Sequence, residues 1–448
     1  MMARLKLVFW SAAALMAIVW LLSAWPFPLP TQFFAIRSAM VQFTGVLGMA
    51  AMSLAMILAT RSLWLEARLD GLDKMYRLHK WLGIGGLVAS IVHWLWAQGT
   101  KWAVGWGWLE RPQRGPQPQL EGVEAALRDM RGFAEGVGEW AFYAAVALIV
   151  IALISAIPYR IFARTHRWFG LVYLVLVFHS VVLLEFKTWP TALGLVMAAL
   201  MAGGTFAALL SLFGGIGAGR KVEAIVTDVR VFRKMGVLAG VQHVVGDWPG
   251  HKPGQFAFVT SDPSEGAHPY TIASAWDPNE RNIRFVAKAL GDHTARLPDT
   301  IQAGKRITIE GPYGCFTFED SQAVQIWVGA GIGVTPFIAR LEHLAAERAS
   351  GRSVRQRIVM FHPAGAAEEA ALDLLRADAE RAGVELHVLV DKRDGRLSGE
   401  SIRAAVPDWR DASLWFCGPT AFGESLRADF AAQGLDTRHF HQELFAMR

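Results

Sequence analysis

Cysteine is almost missing from this chain: Cys315 and Cys417 are the two in 448 residues. Two thiols cannot build a disulfide framework or a four-cysteine metal site. Charge is scarce as well. Asp, Glu, Lys and Arg make up 19% of the residues against 53% hydrophobic, and mean hydropathy is +0.29. That composition argues against a wholly soluble or disordered chain. Internal repeats are lacking too. Nor is there a basic region of the kind nucleic acid needs. The net charge of +5 divides into 18 Lys/Arg against 10 Asp/Glu over residues 1–220, and 26 against 29 over 221–448. The basic surplus sits in the apolar half, where membrane proteins carry it, so no nucleic-acid partner is expected.

Six long apolar runs fill that half, at roughly 7–25, 40–60, 81–98, 139–157, 168–186 and 190–213. Each can cross ~30 Å of hydrocarbon as a helix, which predicts a six-helix α-helical bundle in a lipid bilayer. The first run follows Arg4 and Lys6 as a signal peptide would, but its length and the lack of an A-x-A site favour a retained helix. Ten Lys/Arg cluster in the N-terminus, the 61–80 loop and the 158–167 turn, against seven in the longer stretches opposite. The positive-inside rule then puts both termini in the cytoplasm, with the bundle in the cell (inner) membrane. Trp25, Trp102, Trp106, Trp108, Trp140 and Trp189 fall at outer boundaries, as an aromatic belt does. Segment 99–138 reads as an outer loop containing a short helix near 120–135.

Of 13 histidines, only His79, His93, His166 and His179 precede residue 220. Ionisable side chains at membrane depth are costly and mark function, although a single one can also serve as an interhelical hydrogen-bond donor. Two histidines on the third run and two on the fifth suggest two bis-His haem sites. Their spacings of fourteen and thirteen residues rise about 21 and 19.5 Å on helices, so the sites stack across one bilayer. Both runs point the same way, which pairs His79 with His166 and His93 with His179. At about 100° per residue, His79 and His93 share a face while His166 and His179 lie ~140° apart. The fifth span must therefore tilt, deform, or meet its two partners from different sides.

Gly214, Gly215, Gly217 and Gly219 mark the exit from the apolar half. Short β-type runs follow at 222–232, 255–260, 283–289 and 306–310. From about 323 strands and helices alternate: strands 324–328, 357–361, 384–390 and 413–417, helices 336–349, 366–382, 399–406 and 421–432. Such alternation implies a parallel sheet covered by helices. Domains are thus expected at 1–216, 217–320 and 321–448. His268-Pro269-Tyr270-Thr271-Ile272-Ala273-Ser274 offers an aromatic followed by a hydroxyl at a strand end, which suits a flavin ring and its redox nitrogen. Lys288, Gly291 and Thr294 provide a cation, a close-approach glycine and a hydroxyl at a helix start, suited to a diphosphate. Gly329-Ala330-Gly331-Ile332-Gly333-Val334-Thr335-Pro336 joins a strand to a helix, the context a nucleotide loop requires. Gly311-Pro312-Tyr313-Gly314 precedes it, and Cys417-Gly418-Pro419 ends the last apolar strand. Cys417 either contacts a nicotinamide or is a buried structural thiol. Phe445 either covers a flavin face or packs the C-terminus.

In their order these residues resemble the ferric reductase / NADPH oxidase superfamily. The resemblance implies a bis-haem membrane domain joined to an antiparallel β-barrel FAD domain and an α/β NAD(P)-binding domain. His268 to Thr271 correspond to the family's H-P-F-T flavin motif. Gly311 to Gly314, Gly329 to Pro336 and Cys417 to Pro419 correspond to its G-P-Y-G, G-x-G-x-G-x-T-P and C-G-P elements, and Phe445 to its flavin-shielding aromatic. The family's haem-ligand pairs show the same 14-and-13 spacing. One departure concerns the donor. The Ser-x-Arg that grips an NADPH phosphate is replaced by Phe361-His362-Pro363-Ala364, leaving Lys392, Arg393 or Arg396 as substitutes and NADPH or NADH as donor. Three residues, Ala446-Met447-Arg448, also follow Phe445.

The expected function is electron transfer from NAD(P)H through FAD, with Thr271, Cys417 and Phe445 at the reacting centre, then through two b-type haems to an acceptor outside. Bis-His ligation leaves no open iron position, so the acceptor reacts at the haem edge. Without a Met/His-rich outer segment to bind metal, oxygen giving superoxide is preferred over ferric or cupric chelates. Lys101, Arg111, Arg114 and Lys187 are the cations able to draw anionic chelates. Other readings are a quinone or periplasmic partner as acceptor, and a transporter or receptor with structural histidines. Oligomeric state is not legible.

Overall fold

The structure, a computed structural model, describes residues 2–24, 31–110, 119–154, 156–352, 356–365 and 368–443. Trp25, Arg111, Arg114, the 112–118 run and Phe445 with its three followers lie outside them. The chain divides into two compact units. One holds Met2–Ser62 and Met75–Ile216; the other joins Leu63–Lys74 to Gly217–Met447.

The first unit is helical: Met2–Ala24, Phe33–Leu58, Leu72–Trp94, Gly122–Leu153, Tyr159–Arg167 with Phe169–Leu183, and Ala192–Leu212. Among the described residues five stretches are long and apolar enough to cross a membrane, Arg4–Ser23, Phe33–Leu58, Gly122–Leu153, Tyr159–Leu183 and Ala192–Leu212. That criterion counts five where the sequence reading expected six. Leu72–Trp94 falls short because Asp73, Lys74, Arg77 and Lys80 dilute its hydropathy. It then runs into a π turn at Leu95–Gly99. The short helix expected near 120–135 is not separate but continuous with the fourth span, giving 32 residues from Gly122 to Leu153.

The interior of this unit is Met49, Met52, Met56, Met197 and Met201 packed around Tyr173. The Tyr173 hydroxyl shares a buried hydrogen bond of 2.8 Å with Ser53. Leu22, Leu195 and Phe206 point outward and are 83%, 66% and 64% exposed. Backbone groups satisfied within helices and apolar side chains turned outward suit a hydrocarbon solvent.

In the second unit, β1 (Lys221–Phe232), β2 (Val237–Val244), β3 (Phe256–Thr260), β4 (His268–Thr271), β5 (Asn282–Lys288) and β6 (Arg306–Tyr313) form one sheet in the order β4-β3-β6-β1-β2-β5. Neighbours are antiparallel throughout. An isolated bridge between Ile272 and Phe285 links the chain beyond β4 to β5. Alternation of exposed and buried residues along the start of β1 is what one buried sheet face requires.

A second sheet contains β7 (Val324–Gly329), β8 (Arg357–Ala364), β9 (Glu385–Val390), β10 (Ala412–Cys417) and β11 (Phe440–Glu443), in the order β11-β10-β7-β8-β9 and parallel. Its central strands β7 and β10 are buried along their whole length, as strands covered on both faces must be. Helices Thr335–Ala349, Glu369–Ala382, Gly399–Ala405 and Thr420–Ala432 supply the cover. Pro336 stands in the first turn of Thr335–Ala349, where its missing N–H costs nothing. Strands β2 and β11 escaped the sequence reading, and β4 was read as a strand end.

Candidate functional site

The four helical-unit histidines form two pairs. The ring centroids of His79 and His166 are 5.9 Å apart and those of His93 and His179 6.2 Å, with ring planes at 75° and 79°. His79 Nδ1 lies 2.8 Å from the Ala55 carbonyl, His93 Nδ1 2.9 Å from that of Val41, and His179 Nδ1 2.9 Å from that of Ala134. A carbonyl only accepts, so each Nδ1 carries the proton and each Nε2 keeps its lone pair for a metal. His166 Nδ1 is buried with no hydrogen-bond partner among the described residues.

The ~140° offset on the fifth span keeps neither pair apart: Trp168, between Arg167 and Phe169, interrupts the helix with right-handed backbone (φ -67°, ψ -14°), and both histidines meet their partners. Around His93 and His179 is a cavity of about 440 Å³, also lined by Gly45, Gly132, Gly136, Arg37, Arg131 and Lys101. Gly138 backs His179 so closely that an added Cβ would lie 1.9 Å from Nδ1.

In the second unit a cavity of about 830 Å³ gathers Pro269, Tyr270, Thr271, Lys288, Thr294, Gly331, Thr335, Gly418 and Pro419. The Tyr270 hydroxyl is buried with no hydrogen-bond partner among the described residues, and burial alone raises its pKa. An orphaned buried donor on a cavity wall calls for a polar ligand. The Thr294 hydroxyl accepts from the N–H groups of Leu290 and Gly291, at 2.9 and 3.1 Å, and fixes the start of helix Asp292–Thr300. Gly331 adopts φ +57° with open space where a side chain would project, so backbone can approach a ligand there.

The remaining sequence-selected residues frame this cavity without lining it. Gly333 packs against the Cys417 carbonyl with no room for a Cβ. The Gly329 carbonyl accepts from His362 at 2.7 Å. Ser274 accepts from the Arg284 N–H at 3.0 Å. Pro336 is buried in its helix, Gly291 caps its helix start, and Gly311 lies on β6. Cys417 is fully buried in the apolar cluster with Phe316 and Phe337, and burial holds its thiol well above the usual range.

His268 stacks on His293 at 4.0 Å and 5°, and its pKa is lowered to about 4 by burial and then by the His293 charge. Glu265 completes a trio within 4.8 Å. The flat stack keeps the ring nitrogens parallel rather than convergent, and Glu265 already pairs with Arg296 at 2.9 Å. This arrangement suits a polar rim better than a metal centre.

Sequence reasoning passed over Glu443, Asp391 and Phe422 on the cavity wall. Of the three cations offered for an NADPH phosphate, Arg396 lines the cavity. Arg393 is engaged by Asp394 and Glu369. Nothing in the spacing of Glu443 marked it out, since it lies at the end of a four-residue strand. Gly314 also gained a role: its N–H donates to the buried Glu66 carboxylate at 2.6 Å.

Residues 44–177 match the family described as "Ferric reductase like transmembrane component", and residues 246–317 match "FAD-binding domain". The chain is similar to the glycine betaine monooxygenase reductase subunit of Chromohalobacter salexigens, with 24% identity over 43% of this chain and 56% of that one. It is also similar to an NADPH oxidoreductase of Mycobacterium tuberculosis, with 26% identity over 40% of this chain and 46% of the relative. The chain thus spans about half the length of the curated relatives it matches. Among solved structures, a flavohemoglobin from Malassezia yamatoensis aligns at 17% identity and a TM-score of 0.49, covering 92% of this chain and 98% of that one. A flavoprotein module for FAD and NAD(P)H therefore follows a helical, multi-pass membrane region in one oxidoreductase chain. With a match in each half and the ordered motifs between them, these findings support a ferric reductase / NADPH oxidase-like superfamily for the chain.

Proposed function

We propose that this chain passes electrons from cytosolic NADPH or NADH through FAD and two b-type haems to an acceptor outside the cytoplasm, with oxygen, giving superoxide, as the acceptor. On this reading residues 1–216 are a six-helix haem-binding domain, 217–320 a β-barrel FAD domain and 321–448 an NAD(P)-binding domain. The membrane is the cell (inner) membrane, with both termini cytoplasmic. The observation that carries it is the spacing within each histidine pair. An iron held by two imidazoles through bonds of about 2 Å separates ring centroids by about 6 Å, and the two pairs stand at 5.9 and 6.2 Å.

When bound, a flavin supplies the conversion of a two-electron hydride into single electrons, and haem iron carries them one at a time. The chain's residues hold and insulate these groups. Ala55, Val41 and Ala134 orient three imidazoles through their carbonyls. Tyr270 and Thr271 offer a ring and a hydroxyl to the flavin. Lys288 and the Thr294 helix start receive the diphosphate, while Gly331 and Thr335 open the nucleotide loop. Gly418, Pro419 and Arg396 border the nicotinamide and the far phosphate, and Cys417 supports the first of these from beneath.

A second acceptor has support from one observation: Arg37, Lys101 and Arg131 outnumber Glu135 and Glu139 on the wall of the cavity of His93 and His179, and with Arg131 paired to Glu135 at 3.0 Å, Arg37 and Lys101 are the cations offered to an anionic ferric chelate. The test is a spectrum of the purified protein under argon, with NADPH and then NADH, followed by air. The reading expects a reduced b-type haem spectrum with at least one donor, and superoxide when air enters. No haem spectrum would overturn it. Haem reduction without superoxide, but with rapid ferric-chelate reduction, would favour the second acceptor.

A further inference from the structure

The cavity of the reductase unit has two walls, one from each sheet. Tyr270, Thr271 and Lys288 come from strands of the antiparallel sheet; Gly331, Thr335 and Gly418 come from the loops and helix start of the parallel one. Groups held on opposite walls can exchange a hydride only when the reacting atoms stand about 3–3.5 Å apart. Whatever fixes the separation of the walls is therefore part of the site, even where it lies outside the cavity.

Glu342 ties the two walls together. It stands seven residues after Thr335 on helix Thr335–Ala349, about 10 Å along one rigid rod. Its Oε2 accepts from the Ala275 N–H at 3.1 Å, four residues beyond Thr271, and its Oε1 lies 3.6 Å from Arg284 Nη2. Arg284, on β5, is itself bound to the stretch that leads to Ala275. Its N–H donates to the Ser274 hydroxyl at 3.0 Å and its guanidinium to the Ala273 carbonyl at 3.5 Å, while its own carbonyl accepts from the Ala273 N–H at 2.7 Å. One carboxylate on the nucleotide-loop helix thus holds both parts of the flavin-side wall. Asp378, on helix Glu369–Ala382 and paired with Arg381, adds a second negative charge acting on Arg284.

The strength of this link suits a joint that closes and opens. The side chains of Arg284 and Glu342 are 36% and 42% exposed, and ion pairs so exposed hold weakly and are screened by salt. The hydrogen bond from a backbone N–H to a carboxylate is directional, so the closed position is well defined although the holding force is small. We infer that Glu342 is a positioning residue for hydride transfer, a clasp that closes the nucleotide-loop helix onto Arg284 and the chain following Thr271, and that opens for nucleotide exchange. The inference rests on the flavin reading above, in which the dihydronicotinamide gives one hydride, two electrons and one proton, to the flavin and leaves as NAD(P)+.

The test uses the full-length, FAD-loaded protein in detergent under argon, with two readouts. One is hydrogen exchange, by mass spectrometry, of the peptides around Ala275 and Thr335; the other is the rate of flavin bleaching on mixing with NADPH or NADH. Glu342→Ala should speed exchange in both peptides about tenfold or more. It should also cut the limiting bleaching rate roughly tenfold and weaken NAD(P)+ binding, with FAD occupancy and haem content unchanged. Glu342→Gln keeps an acceptor for the Ala275 N–H and loses the charge, so it should cut the limiting rate less and abolish its dependence on salt. Adding Arg284→Ala to Glu342→Gln should make the protein no slower than the slower single variant. Limiting rates unchanged in both Glu342 variants, or a loss in Glu342→Gln that only tracks lost FAD, overturn the inference while the flavin reading stands. Failure of the wild type to bind FAD overturns the flavin reading and this inference together.

Discussion

In the helical unit the groups that would touch a prosthetic group are four imidazoles, three of them steered by main-chain carbonyls and one backed by a glycine. In the reductase unit the cavity wall is a mixture of a tyrosine hydroxyl, a threonine, cations and an unpaired buried carboxyl. On the proposed reading the first site needs a fixed geometry and no mobile proton, because an electron can move between fixed groups. The second would accept a hydride, release a proton and discriminate between donors, and each task would need its own polar group. The helical site is accordingly the more sensitive to a misplaced atom and the reductase site to a changed charge.

The largest effect should come from breaking the helical geometry. His93→Ala or His179→Ala should remove one of two haems and lower acceptor reduction at least ~100-fold, as measured by haem-to-protein ratio and steady-state turnover. Gly138→Ala should act in the same direction without touching a ligand, because the new Cβ would collide with the His179 ring. Gly83→Ala, where nothing lies within 4 Å of the new atom, should leave the protein fold intact and report whether that space is needed by a porphyrin.

In the reductase unit the changes should be smaller and specific to one task. Thr271→Ala should slow flavin reduction roughly 10–100-fold, the range of a lost positioned hydroxyl, with haem content unchanged. Arg396→Ala should raise the KM for NADPH about tenfold, one charge-assisted phosphate contact, and leave that for NADH nearly unmoved. Equal effects on both donors would remove Arg396 from the phosphate.

The smallest effect concerns stability. Glu443 binds its proton more tightly folded, at about 8, than unfolded, at about 4.3. Its contribution is therefore complete below the unfolded value and is lost as pH rises towards 8. Glu443→Gln should flatten that decline in thermal unfolding curves taken between pH 5 and 8.

Much of this comparison was legible in the sequence, for different reasons in each half. Four histidines in an apolar stretch stand out because charge there is expensive, and their spacing already named the pairs. The interruption at Trp168 was announced by no residue type; the ~140° offset called only for a tilt, a deformation or an approach from different sides. In the reductase half the strand–loop–helix order placed Gly329 to Pro336 and Thr271 on their elements. The cluster of Glu66, Asp73, Lys74 and Glu443 stayed hidden. Glu443 stands some 370 residues along the chain from the other three, each looks like an ordinary solvated charge, and only folding buries them together. The continuous helix Gly122–Leu153 was missed because its first half is polar enough to read as loop.

The central claim is that electrons travel in series, from the His79/His166 site to the His93/His179 site. The most direct measurement is haem content and NAD(P)H-driven haem reduction in His79→Ala and His93→Ala beside wild type under argon. The account predicts two haems in wild type and one in each variant, with the remaining haem reduced promptly in His93→Ala and hardly at all in His79→Ala. Prompt reduction of the remaining haem in both variants would contradict it.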